Sequence, residues 1–331
     1  MGKKSILVTG GAGYIGSHTV RQLCADGYKV VVLDNLVNGH SEAIIDDEVE
    51  LVIGNVGNQS LLTRLFKDHS FVGVVHFAAF AYVGESVTNP LKYYKNNTAA
   101  PLTLLEVMSN FNCTNFVFSS TCATYGEPEE LPLTEDQPQQ PMSPYGRSKL
   151  MLEWILKDCD TAWGLKSTAL RYFNACGCSS DTKIGEDHDP ETHIIPLLLQ
   201  FDGGGPITIF GTDHPTPDGT CIRDYIHVED LARAHTLALK YLINGGESIQ
   251  CNLGTGVGVS ILELINIVRD VTGANIPVNY GERRPGDPAH LVASSQMAKD
   301  ILGWEAEHKD IRYMVDTAWK WVMHCNKTLN S

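Results

Sequence analysis

The sequence predicts an α/β fold: a Rossmann-type, doubly wound parallel sheet followed by a smaller C-terminal α/β unit. Three observations carry that expectation. Short, wholly apolar runs alternate with helical patterns, a glycine-patterned turn follows the first run, and an acidic residue ends the second.

Taken in order, Ile6-Leu7-Val8 is a continuous apolar run of the kind found in strands covered on both faces. It leads into Thr9-Gly10-Gly11-Ala12-Gly13-Tyr14-Ile15-Gly16 and then a helical pattern through Leu23. Glycines at 10, 13 and 16 allow a tight turn, close approach of backbone to a pyrophosphate and close packing of helix on strand, with the phosphate at the helix N-terminus. The next run, Val30 to Leu33, ends in Asp34-Asn35 at the distance expected for an acid that binds an adenosine ribose. A carboxylate there accepts hydrogen bonds from a ribose 2′-hydroxyl and repels a 2′-phosphate, so the expected cofactor is NAD rather than NADP.

Val49 to Ile53 reads as a third strand ending at Gly54-Asn55-Val56, with a helix including Leu61 to Phe66 behind it. Val72 to Ala79 reads as a fourth, whose small residues Ala78 and Ala79 leave room for a cofactor, although core packing explains two alanines equally well. His76 within it is assigned no chemistry. A helix from about Pro90 to Met108 carries Asn96 and Asn97, Phe116 to Thr121 makes a strand, and Thr168 to Asn174 makes another. Ligands gather at the carboxyl ends of such strands, which is where Thr121 falls. From Cys176 to Asp189 the chain turns rich in Gly, Ser, Asp and Cys, which places a boundary between a nucleotide-binding domain, 1–175, and a second domain, 176–331, with helices near 228–242 and 260–272.

Before that boundary, Ser143-Pro144-Tyr145-Gly146-Arg147-Ser148-Lys149 sets a phenol and an ammonium one helical turn apart on one face. A nearby positive charge favours the phenolate, so the pattern predicts that Lys149 lowers the Tyr145 pKa and makes it a general base. A surface Tyr and Lys opening a helix is the bland alternative.

The 331 residues are 43% hydrophobic, enough for a large core, and the formal charge of −14 argues against a nucleic-acid binder. No apolar run approaches a membrane span, Met1-Gly2-Lys3-Lys4 runs straight into the first strand without a signal-peptide core, and nine scattered cysteines fit reduced thiols, so the expected location is cytoplasmic. The sequons at Asn96 and Asn112 are then not glycosylated. Cys176 and Cys178 lack further ligands at zinc spacing, and no metal is expected.

The motifs Thr9 to Gly16, Leu33-Asp34-Asn35, His76 to Ala79, Val83-Gly84-Glu85-Ser86, Ser143 to Gly146 with Lys149, Arg171-Tyr172-Phe173-Asn174 and Arg223-Asp224-Tyr225-Ile226-His227 together resemble the extended short-chain dehydrogenase/reductases. Within that family the chain is similar to the UDP-glucose (UDP-galactose) 4-epimerases, from about Ser5 to Trp321. The resemblance implies inversion of carbon 4 of a UDP-sugar by transient hydride transfer to tightly held NAD. Tyr145 would serve as base, aided by Lys149 and the cationic nicotinamide, and Thr121 would stand in for the family's catalytic serine. It implies cofactor contacts at Gly10, Gly13, Tyr14, Ile15, Gly16, Asp34, Asn35, Asn55, Val56, Phe77, Ala78, Ala79, Asn96, Lys149 and Phe173. Substrate contacts would come from Thr121, Tyr145, Asn174, His193, Phe210, Arg223, Arg284, Asp287 and Leu291, and two copies of the chain would form a homodimer on helices of the nucleotide domain.

Departures from the family pattern are Asn55 for an aspartate, Ala81 for a lysine, His193 for an asparagine and Leu291 where a pocket wall is often tyrosine. The related dehydratases carry an acid after the catalytic Ser/Thr, where this chain has Cys122 and Ala123. Leu291 predicts some tolerance of N-acetylhexosamines, and Thr121 to Pro128 with Ala81-Tyr82-Val83 also resembles the UDP-xylose/UDP-arabinose 4-epimerases. A non-catalytic NAD/UDP-sugar sensor is the reading from another class, opposed by the intact Tyr145, Lys149 and Thr121.

Overall fold

The computed structural model describes residues 3–201, 205–283 and 288–329. In chain order the first elements are β1 (Ser5–Thr9), α1 (Tyr14–Ala25), β2 (Lys29–Asp34), β3 (Glu50–Ile53), α2 (Gln59–Asp68), β4 (Phe71–His76), α3 (Val83–Thr88) and α4 (Pro90–Tyr93). A π-helical turn (Tyr94–Ala99) then leads to α5 (Ala100–Asn110), β5 (Asn115–Ser119), α6 (Pro144–Trp163) and β6 (Lys166–Tyr172). There follow β7 (Asn174–Cys176), α7 (Ile194–Leu199), β8 (Ile207–Phe210), β9 (Ile222–His227), α8 (Val228–Ile243) and β10 (Ile249–Leu253). The last are β11 (Gly258–Ser260), α9 (Ile261–Thr272), β12 (Val278–Gly281), β13 (His290–Leu291) and α10 (Ile311–Leu329).

The central sheet runs β10-β6-β5-β4-β1-β2-β3, all strands parallel. From β1 the chain builds outward to β2 and β3, then returns to place β4 on the other side of β1. The loops after β1 and β4 diverge there, opening a crevice at their carboxyl ends. Alternation along β1 covers both faces: Ile6 and Val8 pack with Val20 and Leu23 of α1 and Leu231 and Leu239 of α8, while Leu7 packs with Leu62, Leu104 and Leu152 of α2, α5 and α6.

The helix expected over 90–108 is not continuous. Pro101 has no N–H to give residue 97 and its ring crowds that carbonyl, so the chain widens into the π turn before α5 begins. That turn carries Asn96 and Asn97 to the crevice. The strand expected through Ala79 pairs only as far as His76, leaving 77–80 as irregular backbone at the crevice wall.

The boundary expected at 175/176 also needs correction, because the chain does not leave the first unit there for good. Residues of α8 pack beneath α1 and β5, and β10 pairs with β6 as the seventh strand of the large sheet. An apolar helix face and a buried strand found better cover on the existing sheet than in a small separate unit. The second unit is therefore built from β7 to β9 and β11 onward. In it β9 pairs with β7, β11 and β13, β8 pairs with β12, and Ile195, Leu198, Leu264, Ile265, Val268, Met314 and Val315 form the core. Among the described residues no helix is long and apolar enough to cross a membrane.

Candidate active site

The two units face each other across a cleft of ≈ 460 Å³. Its floor is the turn between β1 and α1. Gly10 has φ +73, and a Cβ on it would lie 2.5 Å from the Ala78 nitrogen. On Gly16 a Cβ would lie 2.2 Å from the Gly10 oxygen. Only glycine lets helix, turn and the 77–78 backbone meet this closely. Gly13 caps α1 without a side-chain cap, so the first N–H groups of the helix face the cleft with a partial positive charge. Gly10, Gly13, Tyr14, Ile15 and Gly16 all line it.

Asp34, at the carboxyl end of β2, accepts from Ala12 N (3.0 Å) and Leu36 N (2.9 Å), one bond to each oxygen. A second lone pair on each oxygen remains for ribose hydroxyls. Asn35, Asn55, Val56, Phe77, Ala78, Ala79, Ala81, Asn96 and Phe173 line the same half of the cleft. Asn55 differs from the aspartate it replaces in that its Oδ1 closes its own turn on Gly57 N (2.8 Å). These features fit a dinucleotide: an uncapped helix N-terminus, glycines that bring backbone to it, and an acid at ribose distance.

At the carboxyl end of β5, Thr121 and Tyr145 come together. Thr121 Oγ1 accepts from Ala123 N (3.1 Å), and the hydroxyl lies beside the Tyr145 phenol, where it favours the phenolate. Ser143 and Pro144 start α6 so that Tyr145, buried to 9% exposure, sits in its first turn. Lys149, one turn on, is 3% exposed and donates to Ser119 O at 2.8 Å, with Nζ 5.9 Å from the Tyr145 ring centre.

The electrostatics differ from the sequence expectation. Burial, and secondarily Tyr172, raise the Tyr145 pKa above the usual phenol range, opposed by the Thr121 hydroxyl. Burial also pushes Lys149 down to about 7, with Glu153 opposing. Burial thus works against the phenolate.

A buried network behind these residues was missed in the sequence. Arg171 donates to Glu153 through Nε (3.1 Å) and a terminal nitrogen (2.6 Å) and to Tyr125 Oη (2.8 Å), while Ser120 Oγ donates to the same carboxylate (2.5 Å). It ties β5, α6 and β6 together just below Thr121 and Lys149. Tyr172, whose hydroxyl bonds Ser119 Oγ at 2.6 Å, also lines the cleft. Asn97 was passed over as well: it bonds the Phe80 N and O (both 2.9 Å) and Ser148 Oγ (3.2 Å), holding the irregular wall in place. His76, by contrast, is a satisfied core residue bonded to Thr9 Oγ1 at 2.6 Å.

On the opposite side, Asn174, His193 and Leu291 line the cleft, and Asn174 donates to Asp224 O (3.1 Å). Leu291 packs against the group of Tyr125, Leu133, Phe173 and Ala293 while facing the cleft, and pairs in register with Arg223 on β9. Asp224 secures that segment, accepting from Thr255 N (2.9 Å), Gly256 N (3.0 Å) and Ala293 N (3.2 Å). Phe210 ends β8, and neither it nor Arg223 reaches the cleft lining. Arg284 and Asp287 lie outside the described residues. His193 caps α7 at the cleft mouth beside Glu186, His188 and Glu191, a group that sequence reading did not single out.

A doubly wound sheet with its ligand crevice at the switch point, an acid at the end of β2 and a buried Tyr-x-x-x-Lys define a nucleotide-dependent enzyme of sugar or alcohol chemistry. The profile of the NAD dependent epimerase/dehydratase family matches residues 6–254, and the chain belongs to that family. It is 52% identical over 319 residues to a UDP-glucose 4-epimerase of Lacticaseibacillus casei, covering 96% of each chain. The UDP-glucose 4-epimerase of Brucella ovis in complex with NAD superposes with a TM-score of 0.91 at 45% identity, covering 96% of this chain and 97% of that one. A UDP-glucose 4-epimerase of Stenotrophomonas maltophila with bound NAD and formylated UDP-arabinopyranose gives 0.94 at 38% identity, covering 98% and 99%.

Proposed function

We propose that this chain is an NAD-dependent UDP-sugar 4-epimerase acting on UDP-glucose and UDP-galactose. The observation that carries the reading is the buried Thr121–Tyr145 pair, with Lys149 one turn on, at the end of the strand beside the dinucleotide crevice. Bound NAD+ supplies the hydride acceptor and, once reduced, the hydride donor. The chain's residues do the rest. Tyr145 takes the proton of the sugar 4-hydroxyl as hydride leaves carbon 4, and returns it when hydride comes back to the other face of the 4-keto sugar. Thr121 orders the phenol and the sugar oxygen. Lys149 would hold the nicotinamide ribose, and Asp34 would select NAD by accepting from the adenosine ribose. Asn174 and His193, both in the cleft lining, would hold the UDP. With Cys122 and Ala123 after Thr121 there is no acid to drive elimination.

Leu291 in the cleft wall supports slower acceptance of N-acetylhexosamines, and the pentose analogue bound by the Stenotrophomonas relative keeps UDP-pentoses in range. Incubating the protein with UDP-galactose, UDP-xylose and UDP-N-acetylglucosamine and identifying each product sugar tests the reading. Conversion of UDP-galactose to UDP-glucose fastest supports it; turnover of none refutes it.

The assembly is a homodimer through the α3–α6 side of the nucleotide unit, where Val87, Leu91, Leu102 and Trp154 are exposed (63%, 66%, 47% and 58%). Light scattering on wild type and Trp154→Glu reads this directly. Nine free thiols and no disulfide among the described residues support a reducing, cytoplasmic location.

A further inference from the structure

At the cleft mouth, between β7 and α7, four side chains of one short segment converge on a single point: Glu186, His188, Glu191 and His193, whose ligand atoms all lie within 4.8 Å of one another. His193 Nδ1 is 2.9 Å from Glu186 Oε1 and 3.0 Å from Glu191 Oε1, and His188 Nδ1 is 3.2 Å from Glu186 Oε1 and 3.6 Å from Glu191 Oε2. Both imidazoles present Nδ1 inward, and the carboxylates are only 8% and 6% exposed.

A purely hydrogen-bonded cluster accounts for half of this. His193 Nδ1 bonds Glu191 Oε1, whose oxygen also takes the backbone N–H groups of Thr192 and His193. His188 Nδ1 and Glu191 Oε2 are left shut from solvent without a hydrogen bond, on the inner side of the cluster. They lie at ion-pair distance from one another (3.6 Å) and His188 Nδ1 lies 3.2 Å from Glu186 Oε1, yet neither makes a hydrogen bond of proper geometry, so the inner side of the cluster is imperfectly satisfied. They are what a cation at that point would use.

The spacing favours one kind of cation. Four ligands at the usual zinc distances of about 2.0–2.2 Å stand about 3.3–3.6 Å apart at the corners of a tetrahedron. The four imidazole–carboxylate separations, 2.9 to 3.6 Å, lie near that value, and the whole set of ligand atoms falls within 4.8 Å, so side-chain rotation would close it around an ion. Two imidazoles and two carboxylates form a borderline nitrogen/oxygen set that suits zinc, and two negative charges balance a divalent ion. The other cluster of this kind, His227, Glu229 and His308, lacks these features: His227 Nδ1 accepts from Glu229 N and its Nε2 bonds Thr317 Oγ1.

We propose that Glu186, His188, Glu191 and His193 form a zinc-class divalent metal site that fixes the segment between β7 and α7. All four ligands come from eight residues, so an ion there would lock His193, and with it the start of α7, at the rim of the cleft. Glu186, His188 and His193 line the cleft mouth, but the metal site does not depend on the epimerase reading.

The test uses the full chain, stripped with chelator and dialysed against zinc chloride, with bound metal counted by mass spectrometry. One zinc per chain is expected, with affinity lowered at least about tenfold in His188→Gln and in Glu191→Gln and unchanged in His308→Gln. Cobalt loaded into wild type should give the intense visible bands of tetrahedral coordination without thiolate charge transfer, a readout that survives if a variant misfolds. No retained zinc, unweakened binding in both cluster variants, or a cobalt–thiolate band showing a cysteine site would each overturn the proposal.

Discussion

Tyr145 and Lys149 show how far the chemistry of a residue depends on what surrounds it. The spacing that puts them on one helix face was readable, as were Asp34 and the glycines, because each motif is local. The sign of the electrostatics was not readable, because burial is set by β5, β6 and the loops that close over the pair. Burial raises the phenol and pushes Lys149 down to about 7. Tyr145→Phe should lower turnover by about 10²- to 10⁴-fold or more while NAD and UDP-sugar binding stay near wild type, because only the proton acceptor is lost; a tenth or more of wild-type rate would rule Tyr145 out as base. Lys149 also makes a stability prediction for the cofactor-free protein. Its folded pKa lies below the unfolded value, so between them the unfolded chain holds a proton the folded chain has released, and this group's contribution to stability rises with pH. From pH about 7 to 8.5, below the range where ordinary cysteines titrate, the urea midpoint of wild type should rise relative to that of Lys149→Met. Parallel midpoints would show that Lys149 keeps its ordinary pKa.

At the scale of elements, the cleft depends on contacts between segments far apart in sequence. Sequence reading placed the strands and the main helices, since apolar runs and turn residues report them. It missed the π turn, whose cause is one proline, and the Glu153–Arg171 bridge, which joins positions on α6 and β6 that nothing local connects. That bridge is 4–5% exposed at both ends, so removing one partner strands a buried charge. Glu153→Ala is expected to destabilise by roughly 3–5 kcal/mol, measured by urea unfolding. A change under about 1 kcal/mol would show that water reaches the pair. Asn97→Ala leaves the Phe80 N and O unpaired and should cost about 1–3 kcal/mol while weakening NAD retention, measured as cofactor remaining after gel filtration. Full retention would detach the π turn from the cofactor site.

Across the whole molecule, the active site is a seam. The nucleotide half was legible because strand, glycine turn and acid follow one another within the first residues of the chain. The opposite wall of the cleft was reached only through family resemblance, because Asn174 and Leu291 come from separated segments that β9 and Asp224 draw together, and His193 comes from a third. The return of α8 and β10 to the large sheet passes the chain through both halves, and side chains from both line the cleft. Leu291→Tyr adds a ring at that wall and should cut turnover of UDP-N-acetylhexosamines far more than that of UDP-hexoses, in steady-state assays of both. An equal effect on both would show that Leu291 only packs the core.

The central claim is that one cleft oxidises and re-reduces the same sugar carbon. UDP-galactose carrying deuterium at carbon 4, turned over in ordinary water and analysed by mass spectrometry and NMR, tests it most directly. The account predicts UDP-glucose with the deuterium still on carbon 4 and no net formation of NADH. Loss of the label to water, or a product lacking the 4-hydroxyl, would contradict it.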